Sequence, residues 1–452
     1  VISKGFQIIL VLMILLLVFS AGCARKAVRS TPPEKPGESV EEAEKTEEKT
    51  AKEEVAVDYQ RIELKLFDFM QVEQVPGLYN SYNPQFSTNE RYLAFEVDQG
   101  TIKKIRIYTI DINKSDYTLE FEKVREVSLT DTSADRLTDN LFESFSEESF
   151  NYEFTWFPFS SSFIFTSNAG LGEYNLYAGS VQENDRVLRQ IQESLHPRQY
   201  NGYFMVTEEF RKDGQARVSP DGTKIVFSSG RTGSGDLYLF DITSGTLDQL
   251  TSGMDTDLFP QWSPDGKDIV FTTGGEAAHD IHIIRDVGSP DQCEEVLVSW
   301  FFDDVLPSFS PDGRFVSFYT TYNQERDPFN TKRWGIMIVP SDGSGPSAGK
   351  ELINYFHIPD VIKDNTQGTA WFPDSRHIIF AKNIDSDYNP IYIYDIQERT
   401  EEYIDTGTRI NHDITVSRHG LVSFRAQQLG WDRIFIASST YFQEYLNEKF
   451  AK

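Results

Sequence analysis

The sequence predicts an all-β protein, a single β-propeller of seven four-stranded blades, with six blades as the alternative count. Three observations carry this. An apolar residue, a Ser-Pro-Asp-Gly-like turn and an alternating run recur seven times, most clearly at Ala216–Phe227. Successive copies are 70, 62, 44, 47, 62 and 45 residues apart, and the shortest spacings define a blade-length unit. Most copies are followed by two further strand-like runs, such as Leu237–Phe240 and Thr246–Thr251, completing four strands.

The turn has its own chemistry. Pro presets φ, Asp can accept from its own backbone, and Gly takes φ > 0, so the flanking runs form a hairpin. The pre-turn residues are Phe86, Trp156, Val218, Trp262, Phe309, Trp371 and Val416, and each copy ends on a Phe. The last unit, ending near Ala437, lacks a fourth strand, while Ile62–Phe67 is a strand without a partner of its own. We expect Ile62–Phe67 to complete the last blade and remove an open edge.

The chain divides into four parts. Residues 1–22 read as an export signal: Lys4, an apolar run from Phe6 to Phe19, then Ser20-Ala21-Gly22-Cys23. This ending resembles a bacterial lipobox, which implies lipidation of Cys23, and Ala24 after it implies sorting to the outer membrane. An uncleaved membrane anchor is the other reading. Residues 23–58 form a charged tether with no apolar periodicity. Residues 59–440 form the propeller, and 441–452 a C-terminal tail. The net charge is −27, and the tether holds seven Lys/Arg against ten Asp/Glu, so the acidity belongs to the folded part. Such a surface repels nucleic acid, which is excluded as a partner. With Cys23 lipidated, Cys293 is left alone and no structural disulfide is expected.

The copies at Ser219-Pro-Asp-Gly222, Ser263-Pro-Asp-Gly266 and Ser310-Pro-Asp-Gly313, each followed by an Ile/Val-x-Phe or Val-x-Phe strand, resemble the TolB-like PD40 propeller repeat. The resemblance spans roughly residues 80–440 and implies a β-propeller. The TolB-type N-terminal α/β domain has no counterpart in this sequence, and the count of seven departs from that family's usual six.

Asp221, Asp265, Asp312 and Asp374 read as turn residues rather than metal ligands. The expected binding face is the opposite one, where loops entering the inner strands carry Asp255, Asp257, Asp303, Asp304, Asp364 and Asp413. Ring closure would gather these acids into a funnel attracting a cation or basic peptide, or chelating one Ca²⁺ in the channel. Alternatively they satisfy N–H groups of their own loops. Long insertions carry the aromatics Tyr200, Tyr203, Tyr319, Tyr322, Phe329 and Trp334, which suit an interface or simple packing. Gly345-Pro-Ser-Ala-Gly349 matches a nucleophile motif but lies in a loop without the required strand–turn–helix context. His279 and His282 flank a strand start at an odd offset and point to opposite sides. No catalytic residue is assigned and no cofactor beyond Ca²⁺ is expected. Two function classes follow. The favoured one is a membrane-tethered propeller binding an envelope protein or glycan. The alternative is a hydrolase or lyase using funnel carboxylates.

Overall fold

The computed structural model describes residues 64–67 and 80–450, except 99–102, 113–118, 128–149, 170–172, 196, 198, 201–202, 208–211, 276–277, 301, 323–332, 345–354, 364–367 and 429. The expected signal peptide and tether, Phe329, Asp364 and the Gly345–Gly349 motif lie outside the described residues.

Seven antiparallel sheets follow one another along the chain, six of four strands and one of five. The inner strands are Asn80–Phe86, Asn151–Trp156, Gly214–Val218, Thr256–Trp262, Asp304–Phe309, Ala370–Trp371 and Asn411–Val416. The predicted closure is present: Leu64–Phe67 pairs antiparallel with Trp431–Ser439, Leu64 opposite Ser439 and Phe67 opposite Ile436. The N-terminal strand thus completes blade seven. Helix α1 spans Arg186–Leu195. After it, Tyr203–Met205 supplies the fourth strand of blade two and Gln199–Tyr200 a fifth.

The repeated residues explain the ring. Phe95, Phe165, Phe227, Phe271, Phe318, Phe380 and Phe424, the last residue of each copy, are all buried. Apolar clusters span neighbouring blades: Phe227 packs in the cluster of blades two and three, and Phe318 in that of blades four and five. Burying one such side chain stabilises by about 1.5–3 kcal/mol, so a copy lacking it would weaken the seam it fills. The turns stack as well. Pro158, Pro220 and Pro264 sit 3.4–3.6 Å from where a Cβ would project at Gly222, Gly266 and Gly313 of the next blade. Those glycines have φ of 73–75°, and a side chain there would be strained. Each turn Asp accepts locally: Asp221 takes Ser219 Oγ at 2.6 Å and Thr223 N at 3.0 Å. These bonds lower its pKa against the opposing effect of partial burial. The turn carboxylates are therefore structural.

Two expectations are corrected. Residues 441–450 are not a loose tail. They belong to helix α2 (Thr440–Phe450), whose Phe442 and Leu446 are buried in a cluster with Leu93, Phe95 and Ile436. Its Tyr445 stacks on His419 at 3.8 Å between centroids. Cys293 is disulfide-bonded, where an unpaired residue was expected.

Candidate functional site

The axis is organised by one register position. The residue three before each pre-turn residue takes φ of 48–57° in six blades: Asn83, Glu153, Gln215, Phe259, Leu306 and Asp413. At each, the pairing with the second strand shifts register, the mark of a β-bulge. Gly368 stands there in blade six. A Cβ on it would lie 2.8 Å from Ser308 Cβ of blade five, so the seam requires glycine.

In blades two, three and seven the bulge turns the side chain toward the next blade. Glu153 Oε2 accepts Gln215 N at 2.7 Å, and Gln215 Oε1 accepts Phe259 N at 2.8 Å. Asp413 Oδ2 accepts Asn83 N at 3.4 Å, carrying the girdle across the closure between blades seven and one. Glu96 Oε1 accepts Glu153 N at 3.1 Å. These bonds satisfy backbone N–H groups that the bulges remove from the ladder.

The girdle surrounds a narrow cavity of about 10 Å³ lined by Gln85, Glu96, Glu153, Gln215, Arg217 and Phe259. Burial pushes the Glu96 carboxyl up to about 7, and the nearby Glu153 adds to the rise. Burial also raises Glu153, against hydrogen bonds from Gln215 N and Thr166 and the Arg217 charge. Arg217 is lowered by burial and held charged by Glu153. The three groups share one short stretch of channel.

Above this cavity the channel opens on the turn face into a pocket of about 590 Å³. All seven blades line it through the residue just before the pre-turn one: Gln85, Thr155, Arg217, Gln261, Ser308, Ala370 and Thr415. Phe86, Trp156, Phe309 and Trp371 form its walls. The indoles are satisfied within the ring: Trp156 Nε1 donates to Gln85 O at 3.4 Å and Trp371 Nε1 to Ser317 Oγ at 2.7 Å. They offer a ligand apolar surface. The side-chain amides of Gln85 and Gln261 remain available to it. Phe159 and Arg418 stand at the pocket's mouth, with the guanidinium 5.7 Å from the ring centroid. The volume falls within the range of small-ligand and peptide pockets.

The acids expected in the funnel line neither cavity. Asp257 and Asp304 are 6% and 0% exposed. Asp257 N donates to Gly235 O of blade three at 2.8 Å, and its carboxyl is raised by burial against hydrogen bonds from Thr251 and Thr273. Asp304 accepts from Trp300 Nε1, and burial raises it well above the carboxylate range. Asp413 pairs with Arg425 Nε at 2.7 Å, and Asp303 with His279 Nδ1 at 2.7 Å. Asp255 is exposed. Asp257 and Asp304 stand at the heads of their inner strands and are buried there, while Asp413 sits at the bulge position of the girdle. Among the described residues, no group of three His, Cys, Asp or Glu is placed to hold a metal.

The aromatic set separates too. Tyr203 is buried under Arg125, which donates to its hydroxyl at 3.1 Å, and Tyr319 is core. Tyr200 lies in the fifth strand of blade two. Tyr322 is half-buried and stacks on Trp300 at 5.3 Å, with Phe302 and His357 edge-on. Trp334 is half-buried beneath the Lys363 ammonium, 4.5 Å from its centroid. His279 and His282 have separate partners, Asp303 and Glu294.

A family model described as the TolB beta propeller domain, PD40, matches residues 199–333. No curated protein matches the sequence. Among solved structures, the putative TolB from Agrobacterium tumefaciens is 19% identical over 70% of this chain and 95% of its own, with a TM-score of 0.39. Oligogalacturonate lyase from Vibrio parahaemolyticus is 12% identical over 84% and 98%, with a TM-score of 0.49. An oligogalacturonate lyase in complex with manganese is 10% identical over 83% and 96%, with a TM-score of 0.50. At such identities the likeness concerns the fold alone. The chain is a seven-bladed β-propeller that carries the PD40 repeats of the TolB propeller domain over residues 199–333.

Proposed function

We propose that the protein is a binding propeller of the bacterial cell envelope that holds a segment of a partner protein in its axial pocket. The observation that carries this is the pocket of about 590 Å³ on the turn face, walled by aromatic rings and ringed by one side chain from each blade. Its walls are rigid because the turns and indoles are tied to neighbouring blades, so binding costs little ordering. In the test, partners are captured from detergent-solubilised envelope by the wild type and by Gln261→Trp, which fills the pocket from a position with no side-chain partner. One stoichiometric protein lost in the variant supports the reading. Equal capture by both would overturn it, and recovery of a glycan alone would change the partner class.

An enzyme remains the second reading, because Glu96 and Glu153 converge beneath an open pocket. Their oxygens are engaged by backbone N–H groups of adjacent blades, and the cavity beside them has room for about one water molecule. Turnover of a glycan or peptide that Glu96→Gln abolishes would favour it.

The lipobox-like Ser20-Ala21-Gly22-Cys23 supports tethering to the outer membrane with the propeller in the periplasm. No helix among the described residues is long and apolar enough to cross a membrane. Cys23→Ala would then release the protein from the membrane fraction. A thioether-linked lipid on Cys23 leaves no thiol there for Cys293, the only other cysteine. The intact mass under non-reducing conditions decides between lipid and disulfide.

A further inference from the structure

We propose that the axial pocket selects a peptide segment carrying a carboxylate, gripped at the mouth by Arg418 and Phe159. The inference rests on the binding reading above and adds the chemistry of the bound segment. The protein bears a net charge of −27, yet the residues lining the pocket include two arginines and no Asp or Glu. The axial opening on the turn face is a cationic hole in an acidic protein.

The two arginines differ. Arg217 lies deep, half-buried, with its charge set against Glu153. Arg418 is exposed at the mouth and makes no hydrogen bond or ion pair with any described residue. The nearest acid in sequence contact with its turn, Glu90, is already spent. It accepts from Ser417 Oγ, from His419 N at 2.8 Å and from His419 Nδ1 at 2.7 Å. These bonds hold the turn on either side of Arg418 and leave its guanidinium fork unpaired. A guanidinium in that state is a ready bidentate partner for a carboxylate.

Phe159 is held in place for the same task. It is 70% exposed and has φ of 54°, a conformation that a bulky residue rarely adopts. It stands in blade two where the turns of blades one and three to six carry Asp or Asn. Two contacts impose its position. Phe159 N donates to Thr88 Oγ1 of blade one at 2.8 Å. Asp185, which caps helix α1 through Val187 N at 2.9 Å, accepts from Ser160 Oγ and Ser161 N at 2.9–3.1 Å. The clasp fixes the turn and presents the ring to solvent beside Arg418. A strained, exposed aromatic stacked on an unpaired arginine is the composition of an interface anchor. The unpartnered amides of Gln85 and Gln261, each with a donor and an acceptor, suit the backbone of an extended segment.

The test uses soluble random heptapeptides selected against the full chain, in one library with free C-termini and one with amidated C-termini. Acidic residues enriched in both libraries identify a side-chain carboxylate, and binding confined to the first identifies a chain terminus. Arg418→Glu and Phe159→Ser are both surface changes, so melting curves matching the wild type confirm folding. We expect each to weaken the selected peptides about tenfold or more. Arg418→Glu should also tighten binding of the same peptides with Lys in place of the acid. Enrichment of peptides that lack any carboxylate requirement, or that bind Arg418→Glu as well as wild type, overturns the carboxylate inference and leaves the pocket reading standing. Selected peptides that bind Gln261→Trp undiminished overturn both.

Discussion

Replacing Glu96 by Gln should stabilise the propeller at alkaline pH and leave it almost unchanged at pH 5. Glu96 is buried in the girdle, where burial and the neighbouring Glu153 push its carboxyl from the ordinary 4.5 up to about 7. The folded state therefore holds the proton more tightly than the unfolded chain. The stability this confers is complete below about pH 4.5 and is lost as pH rises to 7. Above pH 7 the ion stays buried, and the interval corresponds to about 3 kcal/mol at roughly 1.4 kcal/mol per pH unit. Gln keeps an oxygen to accept Glu153 N, now at 3.1 Å, and carries no charge.

The gain at pH 8 is then about 3 kcal/mol. Unfolding entropy of roughly 2 cal/mol/K per residue over Glu63–Lys452 converts this to a rise in Tm of about 4 °C. The assay is thermal and urea unfolding of wild type and variant at pH 5 and pH 8. An equal stability difference at the two pH values, or a loss at both, would refute the assignment of the buried charge to Glu96. A pH-dependent gain in Glu153→Gln instead would move the proton to its neighbour, which is also raised by burial.

Deleting residues 59–68 removes the strand paired to Trp431–Ser439 and should lower Tm sharply, while an unaffected melt would show that closure contributes nothing. Phe442→Ala should cost about 3–5 kcal/mol, because the ring is fully enclosed between helix α2 and blades one and seven; a loss below about 1 kcal/mol in urea unfolding would make the helix an adornment. Gly368→Ala should destabilise more than an ordinary strand substitution, since its Cβ meets Ser308 and the Leu306 carbonyl oxygen within 3.3 Å; a neutral result would mean that the seam can open.

The ring was legible because its two signals leave few alternatives. A Pro-Asp-Gly turn ends in a residue with φ > 0, and the Phe closing each copy has to be buried between blades. The unpaired run at Ile62–Phe67 was equally plain, since a chain that ends one strand short leaves only one way to close. The acids expected at the binding face stay out of the pocket for a physical reason. Acids such as Asp257 and Asp304 look like ligands in sequence, yet at the head of an inner strand they are desolvated by burial. The bulge carries no sequence mark, because Phe259 and Leu306 adopt φ of 54° and 57° that neither residue type favours. The axis-facing residues could have been found by counting one position back from each pre-turn apolar residue. That register yields Gln85, Thr155, Arg217, Gln261, Ser308, Ala370 and Thr415, a ring with one cation and no acid. Phe159 had a signal as well, since an aromatic where five other turns hold Asp or Asn gives up a turn-stabilising carboxylate or amide. Asp185 of helix α1 restores that bond from outside the hairpin, so the insertion that looked like a binding loop acts instead by holding Phe159 at the mouth of the pocket.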